Sequence, residues 1–327
     1  MNLRRETSPK RWLTIIQVVL AAVFFICSCN PANSDNTVDQ LIQPAPPLKP
    51  TVETIVSQKV IKPIVNPRAA VTENPAITIF STVSPDTRLS PYYWKAWPET
   101  PEIPQTALHI IEGAVNHPDL DLHVFSKVGD CQMTSSTFLS GFTNGKYKIP
   151  DGYTATVDWF SNSMSTESIT AANGLGINSV LNPLFGLPAG YTQCDREETP
   201  LDCELRTRHP AFVLIAMGTN WKPNGEISFE KYLRVVVDRI LETGALPILA
   251  TKADNIEKDW KLNQAIAQVA YDYDLPLVNV WRSVQDLPNH GLVAPKNIYL
   301  TGDGWMRRNY AWLEMLEKLQ IAIDESK

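Results

Sequence analysis

A cysteine follows the first strongly apolar run of the folded region, in the triplet Gly129-Asp130-Cys131 after Leu122–Val128. An asparagine, Asn220, comes shortly after the continuous apolar run Ala211–Met217. A thiolate is a nucleophile, and an amide N–H placed beside it can stabilise an oxyanion. These residue types allow nucleophilic chemistry, provided that the ends of the two apolar runs lie side by side.

Apolar strands and amphipathic helices alternate along the chain from about residue 106. This alternation predicts a parallel sheet with helices on both faces, and ligands of such sheets bind beyond the carboxyl ends of the strands. The predicted strands are Leu122–Val128, Ala155–Phe160, Ala211–Met217, Leu246–Ala250 and Pro276–Val280. The predicted helices are Thr106–Asn116, Phe229–Leu241 (ended by Gly244), Lys258–Tyr273 and Met306–Ile323.

Taken in order, four blocks over residues 120–325 resemble the SGNH (GDSL-type) hydrolase family: Gly129-Asp130-Cys131, Gly174, Gly218-Thr219-Asn220 and the late stretch Tyr299–Trp305. The resemblance implies a three-layer α/β/α fold with a flavodoxin-like parallel sheet. It also implies a nucleophile at Cys131, and an oxyanion hole formed by the N–H groups of Cys131 and Gly174 and the side chain of Asn220. No metal and no cofactor are expected.

The sequence departs from the family pattern at the reactive positions. Cys131 stands where the family has its nucleophilic Ser, and Trp221 stands where an Asp follows the oxyanion Asn. In the register that matches Leu300–Trp305 to the late motif, Tyr299 replaces the catalytic His and Lys296 replaces its Asp partner. In the alternative register, Asp303 is kept but Met306 stands for His. Tyr is mostly protonated at neutral pH and is a poor proton acceptor.

His290 is the one histidine in the loop that leads to the last block, so it is a candidate for a displaced base that would pair with Cys131. A structural hydrogen bond is the favoured interpretation of this residue. Lys252 and Asp254 follow the strand Leu246–Ala250 and are expected to be solvated loop charges rather than rim residues.

Three functions are compatible with these residues. The favoured one is a catalytically degenerate domain that binds a glycan or an acylated envelope ligand. The second is an active esterase or acyl hydrolase that uses Cys131 on acyl or acetyl esters, a substrate class implied only by the resemblance. The third is a scaffold for an envelope protein partner, with Cys194 and Cys203 closing its contact loop.

Charge and proline content divide the chain. Of the 25 prolines in 327 residues, thirteen lie between Pro31 and Pro104, which favours one spacer and one domain over two domains. The formal net charge is −6, but residues 1–28 carry +3 and the remainder −9. A body of that sign repels phosphate backbones, so nucleic acid is excluded as a partner.

The N-terminus predicts export. A basic segment ends at Arg11, an apolar run covers Trp12–Ile26, and Ile26-Cys27-Ser28-Cys29 resembles a bacterial lipobox with Cys29 as the lipidated residue. An uncleaved anchor helix and ordinary cleaved secretion are the alternatives. The predicted domains are a signal peptide or lipoprotein anchor (1–29), a Pro-rich disordered linker (30–76) and the SGNH-hydrolase-like domain (77–327). The predicted location is the outer side of a bacterial cell membrane.

Outside the cytoplasm cysteines can oxidise. Cys194 and Cys203 flank a short polar loop, and a disulfide between them is preferred over two free thiols or a metal site. The aromatic residues ahead of the first predicted helix, Tyr92, Tyr93, Trp94 and Trp97, are expected to pack on the domain rather than to bind sugars.

Overall fold

The computed structural model describes residues 89–183, 193–220 and 225–327. The predicted anchor (1–29), the linker (30–76) and the first part of the predicted domain (77–88) lie outside these residues, as does Trp221. No helix of the described part is long and apolar enough to cross a membrane.

Four parallel strands form the sheet, in the order β1-β2-β3-β4. They are β1 (Asp121–Gly129), β2 (Pro210–Ala216), β3 (Leu246–Ala250) and β4 (Leu277–Val278). A single parallel bridge joins Gly129 to Ala171 on the free side of β1. With this bridge counted as a residual strand, the order is that of the flavodoxin-like sheet that the sequence predicts.

Eight α-helices are described: α1 (Gln105–Val115), α2 (Ser140–Thr143), α3 (Thr154–Ser165), α4 (Pro200–Arg208), α5 (Glu226–Glu242), α6 (Lys261–Asp272), α7 (Val280–Ser283) and α8 (Gly302–Glu325). Short 3₁₀ helices cover Pro91–Ala96, Cys131–Met133, Ser179–Leu181 and Pro288–Gly291. Helix α8 contacts both α1 and α3 on one face of the sheet, and α4, α5 and α6 form the other layer. The three-layer α/β/α fold is confirmed.

The central strand β2 is apolar at almost every position because both of its faces are covered. Helix α8 packs its buried face, which includes Trp312, into the same core. At the other end of the chain, Trp94 and Trp97 are buried, as predicted, whereas Tyr92 and Tyr93 remain exposed. Packing therefore accounts for the two tryptophans but not for the two tyrosines.

The predicted strand at Ala155–Phe160 is wrong, because these residues lie within helix α3. The buried residues Val157, Phe160 and Met164 recur at helical spacing, and α3 packs them against β1. The second strand position of the fold is instead the bridge at Ala171.

Several other boundaries also move, and two of these shifts have a clear physical cause. Helix α6 begins at Lys261 rather than Lys258, because Lys258 and Trp260 have φ values of 74° and 62°, which do not continue into a helix. Strand β4 ends at Val278, because the side chain of Asn279 accepts a hydrogen bond from Arg282 N and begins α7.

Candidate functional site at the carboxyl ends of the strands

The Cys131 turn is fixed by the carboxylate of the preceding residue. Asp130 Oδ1 accepts a hydrogen bond from Gln132 N at 3.0 Å, and Oδ2 accepts one from Thr219 N at 3.3 Å. Asp130 therefore joins the end of β1 to the loop after β2. Gly129 allows the turn to close, since a Cβ there would lie 2.1 Å from Met133 Cγ. The thiol-bearing Cys131 is only 4% exposed.

The two other predicted oxyanion residues lie together. Asn220 Nδ2 donates a 2.9 Å hydrogen bond to the carbonyl oxygen of Leu175, next to Gly174. Gly174 itself has a φ of 81°, a conformation that favours glycine. One amide hydrogen of Asn220 thus holds the Gly174 loop, and the other is what remains for a ligand.

Arg308, on α8, is the main site residue that the sequence reasoning missed. Its Nη1 donates a 2.7 Å hydrogen bond to the carbonyl oxygen of Gln132, and its guanidinium lies 4.8 Å from the ring centre of Phe138. The side chain is 2% exposed, and this burial lowers the pKa of Arg308 to about 10, so it remains a cation at neutral pH. A signal was available, because Arg308 occupies the same helix face as the buried Gly304, Ala311 and Trp312.

The side chain of Gln132 continues this arrangement across the strand ends. Its Nε2 donates a 2.9 Å hydrogen bond to Thr219 Oγ1. The cavity between Arg308, Gln132 and Lys252 has a volume of about 10 Å³. That is about the space one water molecule needs. The part of the strand-end edge between these three residues is therefore filled by the protein's own side chains.

The expectation that Lys252 and Asp254 are solvated is wrong. Lys252 Nζ lies 2.7 Å from Asp254 Oδ1 and 2.5 Å from Glu257 Oε2, and all three side chains are buried. Thr219 Oγ1 donates to Asp254 Oδ2 at 3.1 Å, which connects this cluster to Gln132. A buried ammonium needs carboxylate partners, and the two acids that follow it in the same loop supply them.

Burial raises the pKa of Asp130 to about 6, since removing a carboxylate from water disfavours its charged form. The hydrogen bond from Gln132 N opposes this shift, the nearby charge of Asp254 adds to it, and the cation of Arg308 opposes it. The protonation of Asp130 therefore changes closer to neutral pH than that of an ordinary aspartate.

His290, the predicted partner of Cys131, contacts the backbone of Gln285. The imidazole of His290 is exposed, and its Nδ1 lies 3.2 Å from the carbonyl oxygen of Gln285, the structural hydrogen bond that the sequence favours. Lys296 is exposed, and the backbone oxygen of Tyr299 accepts a 2.8 Å hydrogen bond from Val293 N. The contact with Gln285 thus accounts for the Nδ1 atom of His290, and both His290 and Lys296 lie at the surface.

The predicted disulfide between Cys194 and Cys203 is confirmed, with a Cα–Cα distance of 5.4 Å. Cys203 lies in α4, which begins at Pro200 after the capping side chain of Thr199. Glu198 in the same loop pairs with Arg206 at 2.7 Å. The two sulfurs bind each other, so the alternative of two free thiols is wrong.

Comparison with known proteins gives similarity of structure only. No family model and no curated protein matches the chain. A lipase/acylhydrolase from Enterococcus faecalis is similar at 14% identity, with a TM-score of 0.38 over 58% of this chain and 93% of that one. A GDSL-like lipase from Bacteroides thetaiotaomicron gives 13% identity and a TM-score of 0.39, over 65% and 98%.

A catalytic mutant of an acetylxylan esterase from Geobacillus stearothermophilus gives 13% identity and a TM-score of 0.36, over 59% of this chain and 93% of that one. At such identities and TM-scores these similarities transfer neither an activity nor a substrate to this chain. The contacts of its own strand-end site are what bear on function.

Proposed function

We propose that this chain is a membrane-anchored, extracytoplasmic protein with an SGNH-hydrolase-like fold that binds a ligand and does not hydrolyse an ester. The observation that carries the proposal is the position of Arg308, whose guanidinium is hydrogen-bonded to the residue after Cys131. An attacking sulfur must approach a carbonyl carbon with a base within hydrogen-bond reach. Cys131 is 4% exposed, and the cavity lined by its neighbours Asp130 and Gln132 has a volume of about 10 Å³, so an ester could reach the thiol only if this edge opened.

The departure of the sequence from the family pattern at the position of the base supports the same conclusion. Tyr299 stands at the sequence position of the expected His, and its phenol is a poor proton acceptor at neutral pH. His290 is held at the carbonyl oxygen of Gln285. Asn220 donates one of its two amide hydrogens to the carbonyl oxygen of Leu175, and this hydrogen bond holds the loop that contains Gly174.

The ligand proposed for this domain is a glycan or an acylated molecule of the cell envelope. The second amide hydrogen of Asn220 and the loop at Gly174 offer polar groups at the rim, and such donors suit a sugar hydroxyl or an acyl oxygen. The net charge of −9 beyond residue 28 argues against nucleic acid.

An ester hydrolysis assay tests the catalytic part of the proposal. The full chain, solubilised in nonionic detergent, is incubated with p-nitrophenyl acetate beside Cys131→Ala and Cys131→Ser. We expect the same background rate from all three proteins. Turnover by the wild type that disappears in Cys131→Ala would establish the second hypothesis, an active esterase, and overturn this one.

Glycan-array binding tests the ligand part. We expect the wild-type chain to bind a subset of glycans and Asn220→Ala to lose that binding. Asn116→Ala, which replaces an exposed asparagine directly after helix α1, serves as the control that keeps this binding. Binding that survives in Asn220→Ala would place the ligand away from this rim.

Replacing Cys29 tests the anchor. If Cys29 carries a lipid, Cys29→Ser blocks its attachment, and the protein lacks the mass of a diacylglyceryl group. Membrane retention at an unprocessed mass in both wild type and variant indicates the uncleaved anchor helix instead. A soluble wild-type protein would contradict both forms of anchoring.

A further inference from the structure

Three tryptophan rings surround a single ammonium group beside β4. Lys95 Nζ lies 4.7 Å from the ring centre of Trp260, 5.3 Å from that of Trp281 and 5.6 Å from that of Trp94. Trp281 meets the other two rings nearly at right angles, at centroid distances of 5.2 and 5.9 Å. We call this arrangement, formed by Trp94, Trp260 and Trp281, the tryptophan cage.

The three rings come from separate parts of the chain. Trp94 belongs to the 3₁₀ helix Pro91–Ala96, and its backbone oxygen is bound by Asn279 Nδ2 at 2.9 Å. Trp281 is in α7, directly after β4. Trp260 ends the loop after β3 with a φ of 62°, an unfavourable conformation for a residue other than glycine. The backbone N–H of Trp260 donates a hydrogen bond to Asn255 Oδ1 at 3.1 Å.

Lys95 is an exposed residue, and among the described residues its ammonium forms no salt bridge. The ammonium group of Lys95 lies over the faces of the three tryptophan rings, which attract a cation through their quadrupoles. A lysine ammonium is strongly hydrated and sits on a flexible stem, so it is a poor permanent occupant of an aromatic site. A quaternary ammonium has no N–H groups to desolvate and presents methyl groups to all three rings.

We propose that the tryptophan cage binds a trimethylammonium group and that Lys95 is the internal occupant that this ligand displaces. Aromatic cages of this kind recognise quaternary ammonium ions in proteins generally. Arg282 lies beside the tryptophan cage, because its Nη1 donates a 3.2 Å hydrogen bond to the carbonyl oxygen of Lys95. Its side chain is exposed. It can pair with a phosphate or carboxylate attached to the trimethylammonium group.

The ligand class is therefore a zwitterion that joins a quaternary ammonium to an anion, such as phosphocholine. It can come as a free small molecule or as a lipid headgroup. This inference goes beyond the proposed function, because the cage shares no residue with the Cys131 site and its occupancy does not depend on whether Cys131 reacts.

Calorimetric titration of the detergent-solubilised full chain tests the proposal, with phosphocholine as the probe and phosphoethanolamine as its primary-ammonium counterpart. We expect phosphocholine to bind about tenfold more tightly than phosphoethanolamine. Lys95→Ala removes the competing ammonium and should tighten phosphocholine binding about fivefold or more, a change that a purely structural lysine would not produce. Lys146→Ala, which removes an exposed lysine 5.5 Å from the ring of Tyr147, should leave the affinity unchanged.

Two further variants distinguish recognition of the trimethylammonium group from recognition of the phosphate group. Trp260→Leu should weaken phosphocholine and tetramethylammonium alike by about tenfold. Arg282→Ala should weaken phosphocholine but leave tetramethylammonium unchanged. Vesicles of phosphatidylcholine and phosphatidylethanolamine distinguish the sources: a cage-dependent preference for phosphatidylcholine indicates a headgroup, and binding of soluble phosphocholine alone indicates a free ligand.

The proposal is overturned if neither the wild type nor Lys95→Ala binds phosphocholine at about 10 mM. It is equally overturned if both ligands bind with the same affinity or if Lys95→Ala leaves phosphocholine binding unchanged. Circular dichroism of each variant confirms that the fold is retained, and the Lys95 variant keeps the test valid if Trp260→Leu does not fold.

Discussion

Arg308 Nη1 lies 2.7 Å from the carbonyl oxygen of Gln132, although the two residues are 176 positions apart in the chain. The contact fastens the last helix to the turn that carries Cys131. In the family that the sequence resembles, the residues just before this helix supply the catalytic base. Arg308 lies within the helix itself, and its guanidinium is a donor at neutral pH and not a base.

Replacing Arg308 by alanine should destabilise the fold and expose the thiol. The substitution leaves the carbonyl oxygen of Gln132 buried without its charged donor and opens a space over Phe138, so we expect a loss of about 2–4 kcal/mol in the free energy of unfolding. Urea denaturation measures this loss. Alkylation of Cys131, followed by peptide mass spectrometry, should proceed at least about tenfold faster than in the wild type, as local opening becomes more frequent.

The adjacent residue provides the control for this experiment. Arg307 is exposed and pairs with Asp286 on the surface, so Arg307→Ala should change neither stability nor alkylation measurably. If Arg308→Ala left Cys131 as slowly alkylated as in the wild type, Arg308 would not be what shields the thiol.

Asp130 predicts an unusual pH dependence. Its pKa is raised to about 6 in the folded state, above the ordinary value near 3.9 that applies to the unfolded chain. The folded state therefore holds a proton that the unfolded state releases between these values. The resulting stability is fully present below about pH 4 and is lost as the pH rises through 6, a difference of roughly 3 kcal/mol.

The Asp130→Asn variant isolates this contribution. Asparagine keeps one acceptor oxygen but does not titrate, so the difference in unfolding free energy between wild type and variant should favour the wild type increasingly as the pH falls from 7 to 4. Urea denaturation at several pH values measures this difference. A difference that stays constant over that range would mean that Asp130 ionises normally in the folded protein.

The sheet could be predicted from the sequence because its strands are continuous apolar runs. Ala211–Met217 and Leu246–Ala250 are buried on both faces, and that pattern is difficult to confuse with an exposed loop. Ala155–Phe160 is too short for periodicity to distinguish a strand from a buried helix segment, and the helix was missed. The residual second strand is a single bridge at Ala171, which leaves no pattern to detect.

The contents of the site could not be predicted in the same way. The positions of Cys131 and Asn220 follow from where strands end, but their surroundings depend on side chains distant in sequence. Arg308 and Lys252 look like ordinary surface charges until the fold places them against Gln132 and Asp254. The tryptophan cage likewise joins distant segments, since Trp94 and Trp260 are more than 160 residues apart in the chain.

The disulfide should contribute measurably to stability. The bond between Cys194 and Cys203, which are nine positions apart, restricts the unfolded chain, and the expected loss on replacing both cysteines by alanine is about 2–3 kcal/mol. Reduction of the wild type by dithiothreitol should produce a similar loss of unfolding free energy, measured by urea denaturation. The Cys131→Ala variant is the control: it keeps the disulfide, so the reductant should destabilise it by the same amount. A wild type that is indifferent to the reductant would contradict this role of the bond.

Asn279 should hold the N-terminal arm on the domain. Its Nδ2 donates to the carbonyl oxygens of Trp94 at 2.9 Å and Trp97 at 3.2 Å, and its Oδ1 accepts from Thr251 Oγ1 at 3.1 Å. Asn279→Ala removes these three buried hydrogen bonds, so we expect a loss of about 2–4 kcal/mol in unfolding free energy and faster proteolysis near Trp97. The exposed asparagine variant Asn116→Ala should resemble the wild type in both measurements. Unchanged proteolysis in Asn279→Ala would show that the buried tryptophan rings alone hold the arm.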